Sequence, residues 1–266
     1  MTNPHLTSAI QTLNAKISSY DYEIRSTRNQ HTKIRTYALV NKTSDDLTQL
    51  ATKFSASEIG YIRRVLDFMF ETNNTKVRET MAIKHADASQ QARVKRSRQS
   101  QVNADGDEET EPTQSADPGI SIQEADDVLA ELENEGFFQK SKAGYYSLAP
   151  RALMELRAYL KETYNEEDDI RIRDCEGCTE IVTHGIRCDN KECEVRWHDA
   201  CANSYYKGRD KVDRKCPQCT TVCTGLAFVG ERADRVGPQS GTSGGARQSG
   251  GRRRAEEVDE DEEDDE

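Results

Sequence analysis

The stretch from residue 175 to residue 219 decides the fold, and it reads CEGCTEIVTHGIRCDNKECEVRWHDACANSYYKGRDKVDRKCPQC. Its cysteines and one histidine form four closely spaced pairs: Cys175 with Cys178, Cys188 with Cys193, His198 with Cys201, and Cys216 with Cys219. Thiolate and imidazole groups bind zinc strongly, and a short spacer lets one turn direct two ligands at the same ion. Eight such ligands fill two tetrahedral sites and leave no position for a reactive water. The spacing therefore predicts two structural Zn²⁺ ions.

A disulfide framework is the other common use of closely spaced cysteines, and this sequence does not favour it. Residues 1–10 lack the basic start and the apolar run of a secretory signal peptide. All eight cysteines lie between residues 175 and 223, whereas disulfide-rich secreted domains spread them through the fold. Two residues of this region stand outside the pairs. We expect Cys223 to be a free thiol and His184 to lie in a loop.

The way in which the pairs share the metals decides the local fold. Sequential pairing would give two separate fingers. The ligand order C-C-C-C-H-C-C-C resembles that of the cross-braced RING and PHD families, which implies that the pairs interleave. One ion is then held by Cys175, Cys178, His198 and Cys201, and the other by Cys188, Cys193, Cys216 and Cys219. The candidate core is thin (Ile181, Val182, Ile186, Val195, Trp197 and Val212), so zinc must supply on the order of 10 kcal/mol of folding free energy per site.

Comparison with these two families favours a RING-like module. PHD modules carry an aromatic residue where this chain has Arg214, and RING modules often have proline after the seventh ligand, as in Pro217. Two positions depart from active RING ligases: Gly177 stands where an apolar contact to the ubiquitin-conjugating enzyme is usual, and Thr220 stands where a basic residue is usual. We expect Gly177→Ile to restore that contact. The open hypotheses are a ubiquitin ligase, a non-catalytic structural subunit and, disfavoured by Arg214, a PHD-type chromatin reader.

Composition and charge divide the chain into unlike parts. A length of 266 residues is enough for one to three small domains. Only 34% of the residues are hydrophobic and 32% are charged, which predicts that a sizeable fraction of the chain is unfolded. No apolar run approaches the roughly 20 residues of a membrane span. The net charge of −11 is unevenly distributed: residues 1–104 hold 16 basic and 9 acidic groups, and residues 256–266 hold ten acids and no base. The basic front is therefore compatible with contact to DNA.

Residues 1–56 are predicted to form a first winged-helix unit. Leu6, Ile10, Leu13 and Ile17 have helical spacing, and a β-hairpin with a basic tip follows between residues 21 and 40. Ser55 and Glu58 form a capping box at the start of the next helix. Residues 85–119 have no apolar pattern and are predicted to be a disordered insertion. Its basic run at residues 93–98 fits either a nuclear-import signal or a solvated charge cluster.

Residues 57–165, which include this insertion, are predicted to form a second winged-helix unit. A capping box at Ser121 starts a helix that ends at Gly136, a short hairpin turns at Gly144, and Pro150 starts another helix. The first of these helices is acidic and would repel phosphates, so this unit is expected to bind protein. The predicted fold class is α+β multidomain: tandem winged-helix units, a cross-braced RING-like module at 174–223, and a largely disordered tail at 224–266.

This combination resembles one family in particular. The resemblance is carried by residues 37–41 (YALVN), 54–59 (FSASEI) and 147–156 (SLAPRALMEL), together with the eight zinc ligands. The chain is similar over roughly residues 5–84 and 120–220 to the non-structural maintenance of chromosomes element 1 family, in its fungal form. That family is the RING-like subunit of the SMC5-SMC6 genome-maintenance complex.

The resemblance implies a nuclear protein that acts in DNA repair by recombination. It implies pairing with a MAGE-like subunit and a kleisin subunit, and a RING-type ubiquitin ligase that works with a ubiquitin-conjugating enzyme and the MAGE-like partner. In a RING mechanism the module positions the loaded conjugating enzyme, so no residue of this chain is expected to act as a nucleophile. The family has further helices ahead of the first hairpin, whereas one helix is predicted there in this chain, so we expect either that the chain lacks an N-terminal part or that its start codon is misplaced.

Overall fold

The computed structural model describes residues 3–41, 53–94 and 118–235. Most of the predicted insertion, including most of its basic run, lies outside the described residues, and so does the tail from residue 236 onward. The described part is a mixed α/β structure with a RING-like zinc module at its C-terminal end. None of its helices is both long and apolar enough to cross a membrane.

The first part of the chain is a helix beside a β-hairpin. Helix α1 spans Asn3–Ile17, and strands β1 (Tyr22–Arg28) and β2 (Arg35–Asn41) pair antiparallel. The Asn14 side chain holds the helix on the hairpin, because it accepts a hydrogen bond from the Ile24 amide at 2.8 Å and donates one to its carbonyl at 3.0 Å. The predicted hairpin is therefore present, and its strands continue into the expected basic tip.

A second helical segment follows the first gap. Helix α2 (Ala56–Asp67) begins at the predicted capping box and continues into a π-helical turn, Phe68–Thr72. Strand β3 (Ile83–Lys84) and helix α3 (His85–Gln90) come next. The prediction of disorder from residue 85 is wrong at this end, because α3 is folded and both Ala88 and Ala92 are fully buried. Two small alanines do not produce an apolar stripe that sequence periodicity can reveal.

The third segment contains the predicted helix, hairpin and helix. Helix α4 spans Ile122–Asn134, strands β4 and β5 span Phe138–Lys140 and Tyr145–Leu148, and β3 extends their sheet in the order β3-β5-β4. Gly136 ends the helix with a φ of +72°, which suits a residue without a side chain. The helix that begins at Pro150 is interrupted at Leu156, giving α5 (Pro150–Glu155) and α6 (Arg157–Tyr164).

The zinc module is built on a small sheet of order β7-β6-β8. Its elements are β6 (Gly185–Arg187), β7 (Arg196–Trp197), helix α7 (Asp199–Tyr205), β8 (Phe228–Val229) and helix α8 (Glu231–Arg235). The last two elements lie in the stretch predicted to be a disordered tail, and Val229 is fully buried, so that prediction is wrong up to residue 235. Val212, predicted to be in the core, is 71% exposed.

One continuous hydrophobic core joins these parts. It runs from Phe54 and the buried face of α2 through α4 and the β3-β5-β4 sheet to Trp197 and Val229 in the zinc module. Glu79 adds a backbone link, because its carbonyl accepts a hydrogen bond from the Gly230 amide at 2.8 Å. The zinc module therefore does not depend on its own few apolar residues alone.

Candidate metal centres and the cleft beside them

The structure brings the eight predicted ligands together in two groups of four. One group is Cys175, Cys178, His198 and Cys201, and the other is Cys188, Cys193, Cys216 and Cys219. Within each group the ligand atoms all lie within 4.8 Å of one another. The pairs are interleaved along the chain, so each metal would be coordinated by two segments that are distant in sequence.

Two similar turns position the paired cysteines. In the first, the Thr179 amide donates to the Cys175 carbonyl at 2.8 Å, and in the second the Thr220 amide donates to the Cys216 carbonyl at 3.1 Å. Thr179 and Thr220 both have a φ of +58°. Each turn therefore folds back after the second cysteine, which directs both sulfur atoms of the pair to one side.

His198 is oriented by the backbone of the module. Its Nε2 lies 3.1 Å from the carbonyl oxygen of Ile181, which can only accept a hydrogen bond. This contact assigns the proton to Nε2 and leaves Nδ1, 3.2 Å from the sulfur of Cys178, free to bind a metal. His198 also stands at the start of α7, so the orientation of that helix depends on the first site.

The donor chemistry fits Zn²⁺ at both sites. Each group offers four thiol or imidazole donors and no carboxylate, which is the composition of a closed, structural zinc site. Burial raises the pKa values of the Cys188, Cys193 and Cys201 thiols, so without metal these groups hold their protons at neutral pH. Zinc would displace those protons, and the chain therefore has two zinc sites that couple metal binding to folding.

Cys223 belongs to neither group. It is 4% exposed, and its sulfur lies 3.7 Å from the carbonyl oxygen of Thr221. The expected free thiol is therefore buried beside the second site, and solvent has little access to it.

A buried ion pair connects the zinc module to the preceding part of the chain, and sequence analysis did not find it. Glu79 accepts hydrogen bonds from Arg196 at 2.7 Å and 2.5 Å and from Arg187 at 2.9 Å. All three side chains are buried, with exposures of 2%, 2% and 6%. The carboxylate therefore joins strands β6 and β7 to the segment between α2 and β3.

The tip of the first hairpin is also fixed to the zinc module. The Gln30 side chain donates to the Ile181 carbonyl at 2.8 Å and accepts from the amides of Thr183 and His184 at 3.0 Å and 2.8 Å. The rings of His31 and His184 lie 4.0 Å apart. His184 lies in a loop, as predicted, and this loop contacts the tip of the first hairpin.

Between this hairpin and the first zinc site lies a cleft of about 760 Å³. One wall is basic and comes from the hairpin, through Arg28, Lys33 and Arg35. The other wall comes from the zinc module and includes Gly177, Ala200, Ser204 and Pro217. The cleft therefore contains Pro217, which favoured the RING-like interpretation of the sequence, and Gly177, which departs from the pattern of active RING ligases.

Gly177 is exposed in the cleft, but there is little room for a Cβ atom at this position. A Cβ atom at this position would lie 3.1 Å from the Cβ of Cys201 and 3.2 Å from the ring of Trp197. Cys201 and Trp197 would have to shift by a few tenths of an ångström to accommodate the Cβ atom of an isoleucine. The expectation that Gly177→Ile restores a contact with a conjugating enzyme therefore stays a prediction, and this crowding opposes it.

The hairpin has an outer face that carries exposed apolar side chains. Successive strand residues point to opposite faces, and Arg25 faces α5, where its guanidinium donates to the Met154 carbonyl at 3.3 Å. Tyr22 in β1, and Tyr37 and Leu39 in β2, lie on the opposite face, and they are 42%, 38% and 59% exposed. We call these three residues the outer hairpin face.

Comparison with known proteins gives two family matches. Residues 1–156 match the model of the family described as Nse1 non-SMC component of SMC5-6 complex, and residues 175–219 match that of the RING-like domain. Similar curated proteins include non-structural maintenance of chromosomes element 1 homologs from Xenopus laevis and Homo sapiens, each 24% identical, over 69% and 79% of this chain. These matches cover 55% and 66% of the two relatives, so the chain spans between half and two thirds of their length.

A fungal relative and a solved structure extend the comparison. The Schizosaccharomyces pombe protein named non-structural maintenance of chromosomes element 1 is 22% identical over 83% of this chain and 78% of its own length. A chain of a solved Nse1-Nse3-Nse4 complex superposes with a TM-score of 0.61 at 19% identity, covering 84% of this chain and 81% of that one. This structural likeness shows that the two chains share a fold.

Proposed function

This chain belongs to the Nse1 family of non-SMC components of the SMC5-6 complex, and from that premise we propose that it is the RING-type ubiquitin-protein ligase subunit of such a complex. The proposal rests on the family match and on one structural observation, the cleft at the first zinc site. In this role the module binds a ubiquitin-conjugating enzyme and holds its thioester in a reactive pose, so catalysis consists of positioning.

The cleft supports this role because it is open and contains Pro217, the position at which the sequence resembles RING modules. Ser204 is exposed on α7, and Pro217 closes the turn between the last two ligands, both on the wall opposite the basic hairpin. Of the eight cysteines, seven are metal ligands and Cys223 is buried, which leaves no accessible thiol for a covalent ubiquitin intermediate. The proposed ligase would therefore act by positioning the conjugating enzyme, without a covalent intermediate of its own.

A thioester-discharge assay tests the ligase proposal. The zinc-loaded chain, assembled with a MAGE-like partner, is mixed with ubiquitin-charged conjugating enzymes, and release of ubiquitin to free lysine is followed. We expect the wild type to accelerate discharge, Ser204→Glu to abolish the acceleration because it places a charge in the cleft, and Asn203→Glu, on the opposite side of the same helix, to keep it. No acceleration by the wild type, or equal activity of the two variants, would reject the proposal.

A non-catalytic structural subunit is the second candidate, and a specific observation favours it. The Glu79 ion pair and the shared core fix the zinc module rigidly against the rest of the chain, as in a subunit whose module supports neighbouring surfaces. This candidate predicts that the wild type fails to discharge any conjugating enzyme even when the partner is bound.

We propose partners and cellular setting from the same family membership. The outer hairpin face offers the exposed aromatic and aliphatic side chains that a MAGE-like subunit can cover, and a kleisin subunit completes the assembly. The two helix–hairpin regions are proposed to be tandem winged-helix units, with boundaries at residues 1–56 and 57–165. Action in recombinational DNA repair in the nucleus, with DNA contact through the basic residues of the hairpin, is part of this proposal.

A further inference from the structure

A second concave surface lies on the other side of α7 from the cleft. It encloses about 490 Å³, and four of its lining residues are basic: Lys33, Lys207, Arg214 and Arg232. We call these four residues the basic groove. Among the described residues that line it, the one acid is Asp199, which is already paired with Arg232 at 2.8 Å and with His184 at 3.5 Å.

The groove has a surplus of positive charge in the described structure. Lys33 comes from the first hairpin, Lys207 and Arg214 follow α7, and Arg232 lies in α8, so three separate segments bring cations to one place. No carboxylate of the described residues forms an ion pair with Lys33, Lys207 or Arg214. A surface of this kind favours a ligand with several negative charges close together.

The chain itself carries such a ligand. Its last eleven residues, 256–266, contain ten Asp and Glu residues and no Lys or Arg. The described structure ends at Arg235, three residues beyond Arg232, which lines the groove. Twenty residues rich in glycine, serine and arginine separate Arg235 from the acidic segment, and a linker of that length and composition spans about 25 Å on average.

We propose that the acidic C-terminal segment, residues 256–266, binds in the basic groove of its own chain. Tethering keeps the segment at a high effective concentration beside the groove, so several weak ion pairs suffice for occupancy. An anionic ligand that approaches this side of α7 must first displace the segment. The groove and the cleft lie on opposite sides of α7 and share one lining residue, Lys33, so the proposal is tested by peptide binding and not by ligase activity.

The test uses the full-length, zinc-loaded chain and a fluorescent peptide with the sequence of residues 256–266. In a neutral-tail chain the ten terminal acids are replaced by Asn and Gln. We expect this chain to bind the peptide, and the wild type to bind it at least about tenfold more weakly because its own segment occupies the groove. Fluorescence anisotropy at low salt measures both affinities.

A matched pair of triple variants identifies the site. In the neutral-tail chain, the groove variant Lys33→Gln/Lys207→Gln/Arg214→Gln should bind the peptide at least about tenfold more weakly. The control variant Arg63→Gln/Lys142→Gln/Lys191→Gln removes three exposed cations outside the groove and should change the affinity less than about twofold. Two zinc ions per chain in each variant show that the module remains folded.

Three results would overturn the proposal. Equal peptide affinity in the wild type and the neutral-tail chain would show that the segment does not occupy the groove, and equal affinity in the two triple variants would place it elsewhere, including on the neighbouring residues 252–254. The third result concerns binding to a second copy of the chain. In a mixture of isotope-labelled and unlabelled chains, carbodiimide cross-links from the segment to Lys33 or Lys207 should form within one chain, so each cross-linked pair should carry one label only. Cross-links between labelled and unlabelled chains would show exchange between copies.

Discussion

Arg196 binds Glu79 through two hydrogen bonds, 2.7 Å from Nε to Oε2 and 2.5 Å from Nη2 to Oε1, and the two residues are 117 positions apart in the chain. Arg187 donates to the same carboxylate, and the Arg196 Nη1 donates to the carbonyls of Cys193 and Val195. The ion pair therefore connects the backbone around a zinc ligand to the segment that follows α2. Two cations and one anion are held here with very little contact to solvent.

Glu79→Ala is expected to destabilise the protein by about 3–5 kcal/mol, because it leaves the Arg196 guanidinium buried without its counter-charge. Urea denaturation of the zinc-loaded protein measures the change in the free energy of unfolding. Glu192→Ala removes an exposed carboxylate of the zinc module and should cost less than about 0.5 kcal/mol. Equal effects of the two substitutions would mean that the ion pair contributes little to stability.

Sequence analysis predicted the features that depend on local spacing. The cysteine pairs, the capping boxes at Ser55 and Ser121, and the glycine that ends α4 each act within a few residues, so their patterns are visible in the linear chain. The Glu79 ion pair depends on residues more than a hundred positions away, and nothing in its neighbourhood marks it as buried.

The errors of the sequence analysis also have a physical reason. Helix α3 is held by alanines that fit beneath α4, and α8 is held by Asp234, which binds Arg78 at 2.8 Å and Lys84 at 3.1 Å. Both elements are short and polar, and they fold because they make contacts with the rest of the structure. Local propensity alone therefore predicted disorder at both places.

Cys188→Ala is expected to lose the second zinc ion, whereas Cys223→Ser should retain both. Cys188 is one of four ligands that lie within 4.8 Å of one another, and Cys223 belongs to neither group. Metal analysis of the purified chains by mass spectrometry gives the zinc content directly. Loss of zinc from Cys223→Ser, in a chain that remains folded by circular dichroism, would mean that the ligand assignment is wrong.

Zinc affinity should fall as the pH is lowered, because each thiol must lose its proton to bind the metal. Burial raises the pKa values of the Cys188 and Cys193 thiols, which increases the number of protons released when zinc binds at neutral pH. Calorimetric titration of the metal-free chain in buffers with different ionisation enthalpies measures that number. Proton release near zero, or an affinity independent of pH between about 6 and 8, would contradict this prediction.

Leu39→Asp should weaken binding of a MAGE-like partner without unfolding the chain, because Leu39 is 59% exposed on the outer hairpin face. Leu153→Asp and Leu156→Asp, in the predicted second winged-helix unit, would be unsuitable tests of partner binding. Both residues are almost completely buried, so these substitutions would disrupt the core. Val77→Asp, at a position that is also 59% exposed but lies outside the hairpin, is the control. A pull-down with purified partner should show loss for Leu39→Asp alone, and unchanged binding would exclude this face.

Gly177→Ile is expected to destabilise the zinc module by about 1–3 kcal/mol and to leave ubiquitin discharge no faster than in the wild type. The added Cβ would approach Cys201 and Trp197 to 3.1 Å and 3.2 Å, and Cys201 is a ligand of the first site, so the strain falls on the metal centre itself. Glu176→Ile is the matched control: it adds the same apolar side chain to the exposed neighbouring residue, which lines the same cleft. Thermal unfolding and zinc content report the strain, and the discharge assay reports the contact. A Gly177→Ile chain that is as stable as the wild type and discharges ubiquitin faster would mean that the side chain does reach the conjugating enzyme, and that the packing around Gly177 yields to it.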